Sequence, residues 1–288
     1  MVTGFEPHIK LPAGRPQPRK LLDIAQTFDV SGDNPKRWLA GVRWPQLVCG
    51  SLTATSVVPC SDGDQSATLV EQCVEWGSQL PFRLSDGVKA STLDFTLDEL
   101  AEMSRELYDR AVSASFAAEL ISGIGSGGSS LSSEATAPDG AAFGSAATPI
   151  WNALAILEEE IADRLHGDVG YIHLPPGLLA QAVSTYGLML VDGHWETPAG
   201  NVVISDAGYV SPVEPDGEAG SDPAEDWVYA SGPIFYQRTD GELVGSGSET
   251  VNFADGHNRI DQFINGHGIL VFDPCPVTAV LVSYSQVG

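Results

Sequence analysis

Basic residues are scarce in this sequence. Its 288 residues include 14 Lys and Arg against 38 Asp and Glu, which gives a formal net charge of −24. Proteins that wrap nucleic acid neutralise phosphates with clustered cations, so this composition argues against that class. The few cations are unevenly placed, because residues 1–43 hold seven basic residues against four acidic ones. A basic arm on an acidic body suits contacts between copies of one chain, and a solvated charged tail fits the composition equally well.

Cysteines and long apolar runs are also few. Cys49, Cys60, Cys73 and Cys275 are far apart and form no C-x-x-C pair, so neither a zinc site nor a redox motif is indicated. We expect buried free thiols in a reducing cytoplasm. The N-terminus has no apolar region of the signal-peptide kind, and no apolar run approaches the length that spans a membrane. Secretion and a membrane partner are therefore not expected.

The sequence lacks the signatures of several common enzyme classes. It contains no G-x-S-x-G, no H-E-x-x-H and no G-x-G-x-x-G after a strand, which are typical of serine hydrolases, zincins and dinucleotide enzymes. The glycine-rich segment 123–130 (GIGSGGSS) has no following Gly-Lys-Ser/Thr and comes after a helix, whereas a phosphate-binding loop precedes one. We interpret this segment as a mobile linker.

The remaining candidates for chemistry are weak. The six histidines are scattered, and His257 and His267 are the only close pair. Together with Asp255 or Asp261 they leave an uncharacterised hydrolase open as an alternative, provided that the side chains share one pocket. The run 158–160 places three Glu side chains in different directions on a helix, and the acidic stretch 214–226 lacks the D-x-D-x-D-G spacing of a calcium loop. We predict no catalytic residue, no metal site and no cofactor, and hence that the protein is not an enzyme.

One long helix stands out. Thr96 and Glu99 form a capping box, Gly123 is a stop signal, and polar residues occupy one side of the segment between them. Apolar residues recur there at three- and four-residue steps: Leu97, Leu100, Leu107, Ala111, Ala114, Ala118 and Ile121. The small alanines predict that this face lies close against a sheet. Residues 123–146 are predicted to be a flexible loop.

The second half of the chain predicts an α/β unit followed by a β-rich end. Thr148-Pro149 opens a helix that closes at Gly167, a strand covers 171–174, Pro175-Pro176 starts a third helix, and a strand covers 201–205. Further strands are predicted over 228–238, 258–264, 268–272 and 277–284. The expected fold class is α+β.

The order of these segments matches a known family. GRPQPRKLLDIAQTF and RWLAGVRWPQLVCG are similar to an N-terminal arm and the entry to an extended loop, and DVGYIHLPPGLLAQAVSTYGLML with HWETPAGNVVISDAGYV is similar to an axial-domain strand, helix and strand. DWVYASGPIFYQR, HNRIDQFINGHGILVFDPC and VTAVLVSY are similar to the closing strands. The chain thus resembles the major capsid proteins of tailed bacteriophages with the Hong Kong 97-like fold, in the actinobacteriophage version, a fold shared with encapsulin compartments.

The resemblance implies a division of the chain into five parts. These are an N-terminal arm (1–40), an extended loop (41–90), the spine helix with peripheral domain (91–146), an axial domain (147–225) and the closing strands of both domains (226–288). We read residues 1–40 as an arm that becomes ordered on a partner surface, because they show little apolar periodicity.

The function implied by the resemblance is self-assembly into hexamers and pentamers of an icosahedral head that encloses double-stranded DNA without sequence-specific binding. The virion is the implied location, with assembly in the host cytoplasm, and scaffold, portal and decoration proteins are possible partners. An encapsulin-like compartment is the alternative. Some family members join their subunits through an isopeptide bond from a loop lysine, but here the only lysines are Lys10, Lys20, Lys36 and Lys89. We therefore predict a non-covalent shell.

Overall fold

The computed structural model describes residues 20–28, 37–46, 75–91, 96–138, 147–209, 215, 224–244 and 259–284. Its helices are α1 (Leu21–Ile24), α2 (Leu97–Ser122), α3 (Leu131–Glu134), α4 (Ile150–Arg164) and α5 (Pro176–Thr185), with 3₁₀ turns at Arg37–Ala40 and Ala207–Tyr209. The strands are β1 (Gln26–Thr27), β2 (Val42–Gln46), β3 (Glu75–Gln79), β4 (Phe82–Ser91), β5 (Tyr171–His173), β6 (Met189–Val191), β7 (His194–Glu196), β8 (Val202–Ile204), β9 (Glu225–Ser231), β10 (Ile234–Arg238), β11 (Glu242–Val244), β12 (Arg259–Phe272) and β13 (Thr278–Ser283). This is the predicted α+β class.

The first of two large sheets is built around the long strand β12. This strand pairs antiparallel with β4, β10 and β11, and β1 adds in parallel to the outer side of β10. Helix α2 packs against this sheet through buried side chains that include Tyr108, Val112 and Phe116. Strands β2 and β3 form a separate antiparallel pair at the base of the segment 47–74, which lies outside the described residues.

The second sheet has six strands in the order β13-β9-β5-β8-β7-β6, and its inner strands β5 and β9 are buried on both faces over most of their length. Successive residues of β9 point to opposite sides, so that Trp227 and Tyr229 join the core around α2 while Val228 and Ala230 join the core under α4 and α5. Residues Thr136 and Thr148 add parallel bridges to the outer side of β13. The period-two alternation of apolar side chains therefore places this sheet between two hydrophobic cores.

The capping signals of α2 are confirmed, but its buried face differs from the predicted one. Thr96 and Glu99 form the reciprocal capping box, and Gly123 ends the helix in the left-handed conformation at φ +62°. The buried positions include Leu100, Ser104, Tyr108, Val112 and Phe116, whereas Leu107 and Ala118 of the predicted stripe are exposed. The prediction counted only aliphatic residues, and it therefore missed the two aromatic rings that fill the space above the sheet.

Two predicted strand boundaries are wrong, the first because of a proline and the second because of two glycines. The predicted strand 228–238 is two strands in different sheets, divided at Gly232-Pro233, because proline cannot donate a ladder hydrogen bond. The predicted strands 258–264 and 268–272 are one strand, although Gly266 and Gly268 look like turn residues. A Cβ on Gly266 would overlap the Tyr108 hydroxyl, and one on Gly268 would overlap the Phe116 ring. These glycines serve the close approach of α2 to the strand.

The segment after α2 is folded, which corrects the expected flexible loop over its first part. Residues 123–138 contain turns, helix α3 and a bridge from Thr136 to Thr278, while 139–146 lie outside the described residues. Side chains of two other elements supply the hydrogen bonds that order this glycine-rich segment. Among the described helices, none is both long enough and apolar enough to cross a membrane.

Candidate functional site

The base of the β2–β3 pair is fixed to the body by Gln79. This side chain is 4% exposed and lies against the glycine-rich segment. Its amide nitrogen donates to Ser126 Oγ at 3.1 Å and to the Ser129 carbonyl at 3.3 Å, and its amide oxygen accepts from Ser129 N at 3.2 Å. Both functional ends of the amide are therefore satisfied by one loop.

Glu119, near the C-terminal end of α2, holds the same loop from the other side. Its carboxylate accepts hydrogen bonds from Gly125 N at 2.8 Å, Ser126 N at 2.8 Å and Ser126 Oγ at 2.5 Å. Hydrogen bonds to a charged acceptor are among the stronger ones in proteins. The loop also requires small residues, because a Cβ on Gly128 would overlap the Gln79 amide.

We call Gln79, Glu119 and the loop residues Ser126, Gly128 and Ser129 the hairpin clamp. The clamp sets how the β2–β3 pair, and thus the predicted extended loop, leaves the body of the protein. Motif inspection missed it because glycine and serine in sequence indicate flexibility. The one available signal was Glu119, an acidic residue on the otherwise uncharged last turns of α2, four positions before the stop glycine.

A buried carboxylate joins part of the predicted arm to α2. Asp206 is 2% exposed and accepts hydrogen bonds from Leu21 N at 2.9 Å and Ser113 Oγ at 2.6 Å. The following Gly208 lies against α2, where a Cβ would come within 2.7 Å of Ala117 Cβ. The small residues of α2 thus admit a 3₁₀ turn instead of the predicted sheet.

This junction corrects the expectation that residues 1–40 need a partner surface to become ordered. Residues 20–28 dock on their own chain, with Leu21 fully buried and β1 paired to β10. Burial raises the pKa of Asp23, and the neighbouring Asp206 carboxylate adds to that rise while Lys20 opposes it. The rest of the predicted arm lies outside the described residues, except for 37–40.

His173 forms the centre of a buried polar chain in the second sheet. Its Nδ1 lies 2.8 Å from the Tyr209 hydroxyl and its Nε2 lies 2.8 Å from Ser231 Oγ, which in turn donates to the Gly232 carbonyl at 3.0 Å. That order makes Ser231 the acceptor from Nε2–H and Tyr209 the donor to Nδ1 of a neutral imidazole. Burial lowers the pKa of His173 to about 3. With His173 at 1% exposure, this histidine–serine pair is a structural network that substrate does not reach.

Of the hydrolase alternative the structure describes His267 and Asp261, and it does not bring these two together. His267 is exposed on β12, and Asp261 lies six residues earlier on the same strand, about 20 Å away at the rise of an extended chain. Two positions so far apart on one strand do not form one catalytic site. His257 and Asp255 lie outside the described residues.

The other acidic candidates have structural partners. Glu158 accepts a short hydrogen bond from the Tyr186 hydroxyl, and Glu160 pairs with Arg164 at 2.9 Å. Most of the stretch 214–226 lies outside the described residues, but Asp226 accepts from the Tyr284 hydroxyl, and burial raises the pKa of this carboxyl. Within the described part of the chain, no group of three His, Cys, Asp or Glu side chains could hold a metal ion.

Cys275 departs from the expected set of free thiols. It is disulfide-bonded, and the other three cysteines are outside the described residues. Cysteine spacing along the chain does not reveal which sulfurs meet in space, which is why the sequence could not indicate this bond.

Eight large apolar side chains of the described residues are exposed. They are Leu80, Met103, Leu107, Ile124, Trp151, Val169, Met189 and Leu190. Met103 and Leu107 are four residues apart on α2 and continue along the same face into Ala111 and Ala118, so that much of the predicted apolar stripe faces outward. Met189 and Leu190 lie on β6, the strand at the edge of the second sheet.

The fold is shared with several solved structures along most of the chain. A chain from the capsid of an empty GTA particle has a TM-score of 0.55 at 13% identity, with 97% of this chain and 95% of that chain covered. A chain from Gordonia phage Cozz has a TM-score of 0.51 at 13% identity, with 89% and 83% covered. A chain of the holo-SrpI encapsulin complex from Synechococcus elongatus has a TM-score of 0.51 at 11% identity, with 98% and 95% covered.

No protein-family model and no curated protein matches the sequence. The similarity is thus one of structure along most of the chain. The chain has the Hong Kong 97-like fold of phage capsid structures, as its order of segments predicted.

Proposed function

We propose that this chain is the major capsid protein of a tailed bacteriophage, forming hexamers and pentamers of an icosahedral head around double-stranded DNA. The observation that carries the proposal is the whole-chain likeness to subunits of a GTA capsid and of an encapsulin complex. Self-association into a shell is the property that these structures have in common. Scaffold, portal and decoration proteins would be the further partners of such a head, and the virion its location.

Exposed apolar surface supports self-association. Trp151, Met189 and Leu190 are each more than half exposed, in two different elements of the axial region. Ile124, at 82% exposure, and Leu80 lie next to the hairpin clamp. Apolar side chains at separate places on one subunit suit head-to-tail contacts, in which each copy uses two different surfaces.

The five-part division of the chain forms part of the proposal. The pair β2–β3 would begin and end an extended loop over the neighbouring subunit, α2 with the β12 sheet would form the peripheral domain, and the six-stranded sheet with α4 and α5 would form the axial domain. The closing strands would serve both domains, since β10 to β12 belong to one sheet while β9 and β13 belong to the other.

The excess of acidic residues favours a protein that encloses DNA over one that binds DNA directly. At a formal charge of −24 the subunit repels phosphates wherever its acidic surface faces inward. Packaged DNA would then move along the wall without adhering to it.

Negative-stain microscopy of the purified protein tests the proposal. We expect closed shells or hexameric rings, and a protein that stays monomeric at every salt and protein concentration would contradict it. Particles from infected cells separate the two kinds of shell. A capsid contains nuclease-protected DNA, whereas an encapsulin-like compartment contains cargo protein and no genome.

A further inference from the structure

A cleft of about 170 Å³ lies between α2 and the turn that joins β10 to β11. Its buried residues are Tyr108 and Ile264, at 5% and 1% exposure, and they form the floor. The exposed rim carries two cations and two anions: Arg105, Asp109, Arg238 and Asp240. None of the hydrogen bonds and ion pairs described above lies in this cleft.

The floor contains a polar atom without a partner. The Tyr108 hydroxyl is buried and makes no hydrogen bond among the described residues. It lies above Gly266, where the absence of a side chain gives it room. Burial raises the pKa of this hydroxyl, which therefore stays protonated and can act as a donor. The nearby charge of Arg238 lowers that pKa, whereas the charges of Asp109 and Asp240 raise it. A buried hydroxyl without a partner is destabilising, and a bound acceptor would remove that cost.

The two arginines of the rim are also without partners in the described structure. Arg110 pairs with Glu106 and Arg164 pairs with Glu160, but neither Arg105 nor Arg238 has a carboxylate within ion-pair distance among the described residues. Asp109 and Asp240 share the rim and still do not pair with them. Two arginines from different elements therefore line one opening without an ion-pair partner among the described residues.

We propose that this cleft binds an aspartate or glutamate side chain of a second copy of this chain. The carboxylate accepts from Arg105 and Arg238, and the Tyr108 hydroxyl provides a third donor from the floor. The inference rests on the proposed self-assembly and adds to it a named point of contact between subunits.

The chemistry favours a carboxylate over a cation as occupant. Planar guanidinium groups bind carboxylates through paired hydrogen bonds, and such contacts give an interface specificity as well as affinity. A second copy of the chain has 38 acidic residues against 14 basic ones, so it offers far more carboxylates than cations to this cleft. Binding would also relieve the repulsion between acidic subunits at the place where their surfaces meet.

The test measures the protein concentration at which particles form, by sedimentation and microscopy, for a set of matched variants. Arg105→Gln and Arg238→Gln each remove one rim cation, and the double variant should raise this concentration at least about tenfold. Arg110→Gln is the control, because it makes the same charge change on the same helix outside the cleft. We expect it to stay within about twofold of the natural sequence, as an exposed ion pair contributes little.

Two further variants distinguish an effect on binding from an effect on folding, and they show whether the bound group is an anion or a cation. Tyr108→Phe should raise the assembly concentration about threefold without lowering the melting temperature of the free subunit, since it removes only an unpaired buried hydroxyl. A structural role of the hydroxyl would instead lower that temperature. The double variant Asp109→Asn with Asp240→Asn should assemble at an equal or lower concentration. If it is weakened while the arginine variants are not, the cleft binds a cation and the proposal is wrong.

The outcomes distinguish this inference from the proposed function. If the natural sequence forms shells and the arginine variants behave like Arg110→Gln, only the carboxylate contact is overturned. If the natural sequence never assembles, the shell function fails and the contact fails with it. Higher NaCl should reduce the difference in assembly concentration between the natural sequence and the double arginine variant, because salt screens the electrostatic contact that the variant has lost.

Discussion

Among single residues, the buried His173 makes the stability of the folded subunit depend on pH. It is neutral in the folded subunit, where burial lowers its pKa to about 3, whereas an exposed imidazole in the unfolded chain titrates near 6.5. Above about pH 6.5 neither state binds a proton at this site, so His173 adds no pH dependence there. Below that value His173 binds a proton in the unfolded chain but stays neutral in the folded chain, and the free energy of unfolding therefore falls as the pH falls toward 3.

We predict that replacing His173 removes part of the acid sensitivity of the subunit. Between pH 7 and pH 5 this histidine should cost the natural sequence about 2 kcal/mol of unfolding free energy. His173→Gln keeps a donor and an acceptor without the titration, so its loss over the same range should be smaller by about that amount. Urea unfolding of the unassembled subunit at both pH values measures the difference. His267→Gln, on an exposed strand position, is the control, and equal losses in all three proteins would contradict the prediction.

Cys275 gives a second prediction for a single residue. In protein that is purified without reductant and then denatured in the presence of iodoacetamide, the Cys275 sulfur should not be alkylated, because it is in a disulfide. Trypsin releases this cysteine on the C-terminal peptide that follows Arg259, since no Lys or Arg lies beyond that position. Mass spectrometry should find the peptide alkylated only after reduction. Full alkylation before reduction would show a free thiol, as the sequence alone suggested.

Among the elements, the hairpin clamp makes the orientation of the β2–β3 pair depend on the end of α2. Gln79 belongs to β3 and Glu119 belongs to α2, and they share Ser126 as a hydrogen-bond partner. The loop between them is short and rich in glycine, so its backbone can present Gly125 N and Ser126 N to one carboxylate. A change in the loop is therefore expected to act through Gln79.

We predict that Gly128→Ala and Gln79→Ala are strongly coupled. The new Cβ would displace the Gln79 amide, so each variant breaks the same hydrogen bonds and should cost about 1–2 kcal/mol of unfolding free energy. The double variant should cost little more than either single one. Gly127→Ala is the control, because nothing lies near a Cβ there, and its backbone strain at φ +63° should add to the effect of Gln79→Ala. Additive effects of Gly128→Ala and Gln79→Ala in urea unfolding would contradict the clamp.

Elements governed by local signals could be predicted from the sequence. The capping box at Thr96 and the stop at Gly123 gave the ends of α2, and Pro149 and Pro176 gave the starts of α4 and α5, because these signals act over three or four residues. The buried face of α2 was not predictable in this way. It depends on Tyr108 and Phe116 meeting Gly266 and Gly268, which are about 150 residues away in sequence.

The candidate sites were less predictable than the elements for the same reason. The Asp206 junction joins residues 185 positions apart, and the clamp joins Gln79 to a loop 50 positions later. Neither has a motif, since a single Asp or Gln in sequence has no fixed meaning. The contact cleft likewise depends on Arg105 and Arg238 reaching one opening from two elements.

For the whole molecule, the two cores explain how one subunit could be both stiff and acidic. Strand β5 and most of β9 are buried on both faces, and among the acidic residues with described burial only Glu119, Glu160 and Asp206 are buried, so most of that negative charge lies at the surface. Surface repulsion of this kind keeps free subunits apart and must be overcome at their contacts. Contacts between such subunits therefore need apolar patches or the scarce cations, and both are found on the described surface.

The last prediction concerns how the assembled particle is held together. No lysine occurs between residues 44 and 88, and Lys89 lies within β4, where Asp261 of β12 is its neighbour across the sheet. A loop interior without lysine cannot supply the amine of an isopeptide bond, so particles boiled in detergent with reductant should give a single band near 30.4 kDa. A gel without reductant separates disulfide-linked oligomers, and Lys89→Arg tests the one lysine near the loop. A ladder that persists in reductant and disappears in Lys89→Arg would show covalent joining and overturn the prediction of a non-covalent shell.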